Sequence, residues 1–383
     1  MGSLICYLFS KTWICDTIIH MILPDYKNSI ANLPNSVLKY FGVDTVGDTL
    51  PLMDEQLERS YRNIVVLLLD GMGISTMKTH LSGNGAFLSH LKGQYSSTFI
   101  PTTVAATTSA ITGLQPCEHA WLGWDCYYPP IDRNVTVFLN TVMGTDKPAA
   151  GYNVAWKYTP YVSVVDRLNK AGHKAYNASP FCPPNPQTLE EIIDLIKTHC
   201  REPERKYIYA YWPSPDDFLH LYGGGSKEVF DNLKYLEERV SALAEELEDT
   251  LLVVTADHGH INSESAFLRD YPEIIECLER LPSFEPRALN LFAKKGKEKE
   301  LEERFNKAFG EKFTLLSKDE VFRMKLFGTG KEHELFRSMV GDYVAVATGD
   351  LSIIYYAEDV ILKSMHAGMS EDEMKIPFIV FES

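Results

Sequence analysis

Thr250-Leu-Leu-Val-Val-Thr-Ala-Asp257-His258-Gly259 is the stretch on which the reading of the fold turns. Its run from Thr250 to Ala256 is apolar or β-branched and does not alternate with charged residues. That pattern predicts a strand over 250–256 buried on both faces, as in a parallel sheet covered by helices. In open α/β sheets, ligands bind just beyond the carboxyl ends of such strands. Asp257 and His258 therefore stand side by side where a metal ion would go, although the same pair would also suit the capping of a turn.

The arrangement recurs. Asn63-Ile-Val-Val-Leu-Leu-Leu69 is a second buried-strand pattern and runs into Asp70-Gly71-Met72-Gly73. Lys206-Tyr-Ile-Tyr-Ala-Tyr-Trp212 is a third, followed by Pro213-Ser214-Pro215-Asp216 and then His220. If the three strands share one parallel sheet, Asp70, Asp216 and Asp257 converge on one edge. Like charges gathered in a cleft repel, and bound cations relieve that repulsion. Asp216 and His220 are four apart, which puts them on one face if the segment is helical. Mixed Asp and His donors suit zinc or manganese better than calcium or magnesium. Each motif alone has a plainer reading, since an Asp after a strand is often a helix N-cap; their recurrence favours metal ions.

A nucleophile candidate lies between the first two strands. Phe99-Ile-Pro101 leads into Thr102-Thr103, then a run of small residues to Thr112-Gly113. This predicts a helix over 103–112 with a glycine stop. A hydroxyl at a helix N-terminus sits in a positive field beside free backbone N–H groups, which favours an alkoxide and an anionic phosphoryl group. A nearby metal ion would lower its pKa further. The alternative is that Thr102 or Thr103 serves only as the N-cap.

Taken together, the elements from Asn63 to Ser383 resemble the alkaline phosphatase superfamily, and within it the nucleotide pyrophosphatase/phosphodiesterase-like (type I phosphodiesterase) branch. Asp70-Gly71 matches the branch's Asp-Gly after its first strand. Phe99-Ile-Pro-Thr-Thr103…Thr112-Gly113 has the length of its nucleophile element, with Thr103 on the nucleophile. Pro215-Asp216…His220-Leu-Tyr-Gly223 matches its Pro-Asp-x-x-Gly-His-x-x-Gly, and Asp257-His258-Gly259 its Asp-His-Gly. His366 falls where the branch has its last histidine. The resemblance implies two divalent ions, zinc first and manganese second. One would be held by Asp216, His220 and His366, the other by Asp70, Asp257 and His258, with Thr103 coordinating the latter ion and attacking phosphorus. It further implies a metal-dependent hydrolase of phosphate esters (phosphodiesterase, nucleotide pyrophosphatase or phosphatase) working through a phospho-threonine intermediate, with a small phosphorylated substrate such as a nucleotide. Two departures stand out. The family's Pro-Asn after the nucleophile is Ala105-Ala106 here, which leaves phosphate recognition open, and the Gly before its histidine is Leu219.

Competing readings are weaker. A phosphoglycerate-mutase-like isomerase shares the scaffold, but uses a serine and a large insertion absent between Thr103 and Asp216. A sulfatase needs Cys-x-Pro-x-Arg at the nucleophile. A phosphonoacetate-type phosphonate hydrolase also uses a threonine and stays open. A dinucleotide site at Gly71-Met72-Gly73 lacks its third glycine, which is Thr76 here. An inactive metal- or nucleotide-binding module is the non-enzyme alternative, opposed by the presence of every expected ligand.

The chain has 383 residues, 45% of them hydrophobic, and a net charge of −15. That charge argues against a nucleic-acid polymer as partner. It does not bar a small phosphate ester, because local ion charge governs a site. Seven cysteines are scattered without a Cys-x-x-Cys pair, which suggests a reduced, cytoplasmic chain. Residues 1–20 are apolar but broken by Lys11, Asp16 and His20, too short to span a bilayer and without a basic leader region, so no membrane role is expected. They read as an extra arm or a start-site artefact ahead of Met21. Residues 21–383 then form one catalytic domain, with 262–350, rich in mixed-charge helix, as an inserted cap.

Strands at 63–70, 173–178, 206–212 and 250–256 alternate with helices at 103–112, 187–200 and 226–248. This predicts a mainly parallel, doubly wound α/β sheet with helices on both faces. Residues 343–347 and 352–356 read as a hairpin around Gly349-Asp350, and 376–381 as a return to the main sheet. Trp121, Trp124, Tyr127 and Tyr128 form an aromatic group suited to lid packing or to stacking on a flat leaving group. His119 and His260 match no ligand position and at most hold ligands in place.

Overall fold

Asn63–Leu69 lies at the heart of a six-stranded sheet, parallel to Lys206–Trp212 on one side and to Thr250–Thr255 on the other. Every residue of Asn63–Leu69 and of Thr250–Thr255 is buried, which is why neither sequence alternates. Lys174–Ala178 extends the sheet in parallel beside Lys206–Trp212. At the other end, Lys375–Glu382 runs antiparallel between Thr250–Thr255 and Leu91–Ser96. The sheet is therefore mainly parallel with one reversed strand, formed by the C-terminal return expected from the sequence. The computed structural model describes residues 21–356 and 361–383; the arm proposed for 1–20 lies outside them. Among the described residues, no helix is long and apolar enough to cross a membrane.

Helices cover this sheet. Leu33–Tyr40, Thr103–Thr112 and Val164–Lys170 pack on one another, while Lys227–Glu246 packs on Ile74–His80 and Ala86–Ser89. Leu189–Cys200 shows the local logic. Thr188 and Glu191 form a reciprocal capping box at its start, and Ile192, Ile193, Ile196 and Cys200 turn one buried face inward.

A second sheet has seven strands, is antiparallel, and draws on two separate stretches of chain, 125–142 and 283–347. The expected hairpin at Gly349-Asp350 does not form. Tyr343–Ala347 has both edges taken, by Ala288–Leu291 and Phe313–Ser317. A strand has only two edges, so Leu351–Ile354 pairs instead with Glu264–Phe267, in parallel.

The second sheet is tied to the C-terminal loop by a buried ion pair. Arg287 and Glu373, both fully buried, pair through two bonds, Nε to Oε1 at 2.7 Å and Nη2 to Oε2 at 3.0 Å. Arg287 also donates to the carbonyls of Gly349 and Leu351. Glu373 accepts in turn from the Gly368 amide. The segment so held carries His366 and Ala367, whose φ is +90°.

Candidate metal centre

The three central strands finish in step, Leu69 opposite Trp212 and Leu68 opposite Thr255. The loops that continue them therefore leave from one edge of the sheet. The Asp70 amide donates to Trp212 O at 3.0 Å, and the Asp216 amide donates to Asp70 O at 3.0 Å. His366 arrives from the C-terminal segment through a two-strand pairing of Ser364–Met365 with Ile261–Asn262, just after Asp257-His258. Residues remote in sequence thus meet in two adjoining groups, Asp70, Asp257 and His258 in one, and Asp216, His220, His260 and His366 in the other.

In the first group, one oxygen of each carboxylate is committed and the other is free. Asp70 Oδ2 accepts from the Tyr211 hydroxyl. Asp257 Oδ1 accepts from the amides of Gly71 (3.1 Å) and His258 (3.0 Å). Asp70 Oδ1 and Asp257 Oδ2 are buried without a hydrogen-bond partner. These orphans face His258 Nε2 at 3.4 and 3.6 Å. His258 Nδ1 lies 3.2 Å from Gly259 O, a contact that fixes the proton on Nδ1 and leaves a lone pair on Nε2. Three acceptors aimed at one buried point repel one another, and a cation or a shared proton between them relieves that repulsion.

Electrostatics say the same. Burial first, then the charges of Asp257 and Asp216, push the Asp70 carboxyl well above the usual carboxylate range, and burial also raises Asp257. Asp216 goes the other way. Burial opposes its charge, but His220, then His260 and His366, hold its carboxyl well below the usual range. In this second group, His220 Nε2 is 3.4 Å and His366 Nε2 4.0 Å from Asp216 Oδ1. His220 Nδ1 faces Ser364 O at 2.8 Å and His366 Nδ1 faces Pro101 O at 3.1 Å, so both present Nε2 as an acceptor. The donor set and its orphaned oxygens fit a pair of divalent cations.

Thr103 begins its helix, with Thr102 in extended conformation as the N-cap residue. The two hydroxyls part company. Thr103 Oγ1 lies 3.4 Å from His258 Nε2. Thr102 is buried and donates to Glu285 Oε1 at 2.5 Å. The hydroxyl beside the carboxylate and imidazole cluster is thus Thr103. The model of the type I phosphodiesterase / nucleotide pyrophosphatase family matches residues 64–370, a span that contains all of these groups.

The chain belongs to that family.

Solved structures with the same fold include murine ectonucleotide pyrophosphatase/phosphodiesterase 5, in an inactive form in complex with AMP. It has 16% identity and a TM-score of 0.64 over 84% of this chain and 88% of that one. The human counterpart has 17% identity and a TM-score of 0.61, covering 83% and 87%. Phosphonoacetate hydrolase from Sinorhizobium meliloti 1021, in complex with phosphonoformate, has 16% identity and a TM-score of 0.62, covering 84% and 90%. No curated protein matches the chain. The family to which the chain belongs comprises hydrolases of phosphoric esters.

Within this family member, the glycine of Asp257-His258-Gly259 has a steric cause. A Cβ on Gly259 would meet Asp372 O at 1.9 Å, and one on Gly73 would meet Gly259 Cα at 2.5 Å. Two backbones cross here with no room for a side chain. His119, near the motifs in sequence, is buried away from the cluster, with Nε2 at 3.0 Å from Ser109 Oγ and Nδ1 accepting from the Trp121 amide. Burial lowers its pKa to about 3, so it is a neutral brace of the Thr103 helix. Sequence reasoning missed Tyr211 and Glu285. Tyr211 could have been suspected from its place near the end of a strand that feeds the site; Glu285 lies in a distant stretch and carries no local signal. Glu285 also accepts from the Trp124 amide at 2.9 Å. That bond ties Thr102 to an aromatic shelf in which Trp124, Phe138 and Trp156 are exposed.

Proposed function

We propose that this protein is a two-metal hydrolase of phosphate esters that uses Thr103 as nucleophile and takes a diester or nucleotide with a flat leaving group. The observation that carries the reading is the convergence of the orphaned Asp70 Oδ1 and Asp257 Oδ2 on His258 Nε2, beside Thr103 Oγ1. Asp70, Asp257 and His258, with Thr103, would hold one ion; Asp216, His220 and His366 would hold the other. Zinc suits these donors best and manganese next. When bound, such ions would screen the charge of the phosphoryl oxygens and lower the pKa of a nearby hydroxyl.

The chain's own residues account for the rest. Thr103 stands at the positive end of its helix, where free backbone N–H groups favour an oxyanion. Its oxygen bonds to phosphorus as the bond from phosphorus to the leaving oxygen breaks. The hydroxyl proton departs to solvent, and the leaving oxygen takes one up. Water then cleaves the phospho-threonine and restores the hydroxyl. Ala105 and Ala106 offer no side-chain amide to the phosphate, so recognition would rest on the ions and the helix terminus. The exposed face of Trp124, Phe138 and Trp156 favours a leaving group that stacks, such as a nucleoside. The net charge of −15 disfavours a nucleic-acid polymer.

A second reading, cleavage of a phosphonate such as phosphonoacetate, is favoured by the near-equal likeness to the phosphonoacetate hydrolase fold. A substrate panel with zinc and manganese supplied separately tests both. It should contain bis(p-nitrophenyl) phosphate, the p-nitrophenyl ester of thymidine 5′-phosphate, p-nitrophenyl phosphate, ATP and phosphonoacetate. The expected result is fastest turnover of the nucleotide diester, abolished by a chelator. Turnover of phosphonoacetate alone would select the second reading, and no turnover with either metal would refute both.

A further inference from the structure

His260 sits inside the second ligand group, yet one distance sets it apart. Two ligands bound at about 2.1 Å to a tetrahedral ion lie about 3.4 Å from each other. His220 Nε2 to Asp216 Oδ1 (3.4 Å), His258 Nε2 to Asp70 Oδ1 (3.4 Å) and His258 Nε2 to Asp257 Oδ2 (3.6 Å) all match that edge. His260 Nε2 to Asp216 Oδ1 is 2.6 Å. That is too close for two ligands of one ion and right for a hydrogen bond from N–H to a carboxylate.

The other side of the ring meets Ser364. The Ser364 hydroxyl is 3.3 Å from His260 Nδ1, and the Ser364 carbonyl is 2.8 Å from His220 Nδ1. A carbonyl only accepts, so it fixes the proton of His220 on Nδ1 and frees Nε2 as a lone pair. A hydroxyl can donate, so it can leave His260 with a bare Nδ1 and the proton on Nε2. The Ser364 hydroxyl also lies 3.0 Å from Ile261 O, an alternative acceptor for its proton. In a neutral ring, turning it there would move the His260 proton to Nδ1 and aim the Nε2 lone pair at the Asp216 carboxylate across 2.6 Å, and repulsion at that range opposes it. Ser364 is fully buried and His260 nearly so, which keeps water from substituting for either. Gly71 makes the room, since a Cβ there would stand 3.0 Å from both His260 Nε2 and Asp216 Cα.

We infer that Ser364 sets opposite tautomers on two imidazoles of one ion site, making His220 a ligand and His260 a positioning residue that fixes Asp216 by hydrogen bond. The inference rests on the proposed metal centre. It implies that His260 holds the carboxylate oxygen in the direction of the ion and shares its charge, without occupying a coordination position.

The test loads wild type, H260A, H260Q, S364A and H220A with Co²⁺ or Zn²⁺, and reads affinity by chelator competition and coordination by the visible Co²⁺ spectrum. H260A and S364A are expected to weaken one ion by about 10- to 100-fold while leaving the Co²⁺ bands of the loaded protein in place. H260Q, whose amide can still donate to Asp216, should stay within a few-fold of wild type. H220A should lose the bands of that ion. Affinity as weak in H260Q as in H260A, together with shifted bands, would overturn the inference by making His260 a ligand. Wild-type affinity in H260A and S364A would overturn it by removing any role. If H260A does not fold, H260Q and S364A decide the matter. Failure of wild type to bind Co²⁺ or Zn²⁺ at all is a separate result that defeats the metal-centre reading itself.

Discussion

The Thr103 hydroxyl lies 3.4 Å from Nε2 of His258, a residue that reaches it from the end of a different strand. Thr102, its neighbour, donates instead to the buried Glu285. The two threonines should therefore respond differently to substitution. T103A is expected to keep its metal and lose turnover on the order of 10³-fold or more. T102V should retain much of its turnover but lose stability by about 1–3 kcal/mol, because Glu285 loses a buried donor. Steady-state kinetics and thermal melts on the pair check this. Near-normal turnover in T103A would move the nucleophile elsewhere.

The crossing of Gly73 and Gly259 predicts that the smallest possible addition is damaging. G259A places a methyl group where Asp372 O already lies, 1.9 Å away. The backbone must shift, at a cost of about 1–3 kcal/mol or more, and His258 and Asp257 move with it. A lowered melting temperature together with lost metal is expected. A G259A protein with wild-type stability and metal content would show that the two backbones can separate at little cost.

The buried Arg287–Glu373 pair holds the segment bearing His366. Removing one partner leaves a buried charge alone, so R287A or E373A should cost about 3–5 kcal/mol, whereas R287M combined with E373M should recover much of the loss. Ala367, at φ +90°, is strained for a residue with a Cβ. A367G is expected to be neutral or stabilising by up to about 1 kcal/mol. Denaturant titrations of the four proteins measure these effects, and a destabilised A367G would contradict the strain argument.

Glu285 gives a pH dependence. Burial raises its pKa from the ordinary 4.5 to about 8. A carboxyl whose folded pKa is raised contributes stability that is fully present below the unfolded pKa and is lost as pH climbs through the folded one. Wild type should therefore lose stability from this group between about pH 4.5 and pH 8. E285Q, which cannot ionise, should lack that component, so its melting temperature relative to wild type should rise across the window. A difference independent of pH would show that Glu285 does not change its proton affinity on folding.

Much of this was legible in the sequence because the central strands are buried on both faces, and burial leaves an unbroken apolar run that ends abruptly at a carboxylate. The helix after Thr103 announced itself through its small residues and the Gly113 stop. Leu91–Ser96 did not, since its first four residues alternate between exposed and partly buried positions, and its sequence is mixed. The second sheet was hidden for a different reason. Its strands are short, and Asp125–Tyr128 pairs with Ser283–Glu285 across a long stretch of chain. No local pattern encodes such a partner. The same holds for Glu285, Ser364 and Arg287, whose partners lie more than 60 residues away. The hairpin at Gly349-Asp350 was suggested by turn residues alone, and turn propensity lost to the prior occupation of both edges of Tyr343–Ala347.

The central claim is that the two groups of donors each hold a divalent ion beside Thr103. Elemental analysis of the purified, zinc-loaded protein after exhaustive dialysis tests it most directly. About two equivalents per chain are predicted, falling to about one in H258A and in H220A. A wild-type protein that retains less than about a tenth of an equivalent, and still hydrolyses its substrate in the presence of a chelator, would contradict the account.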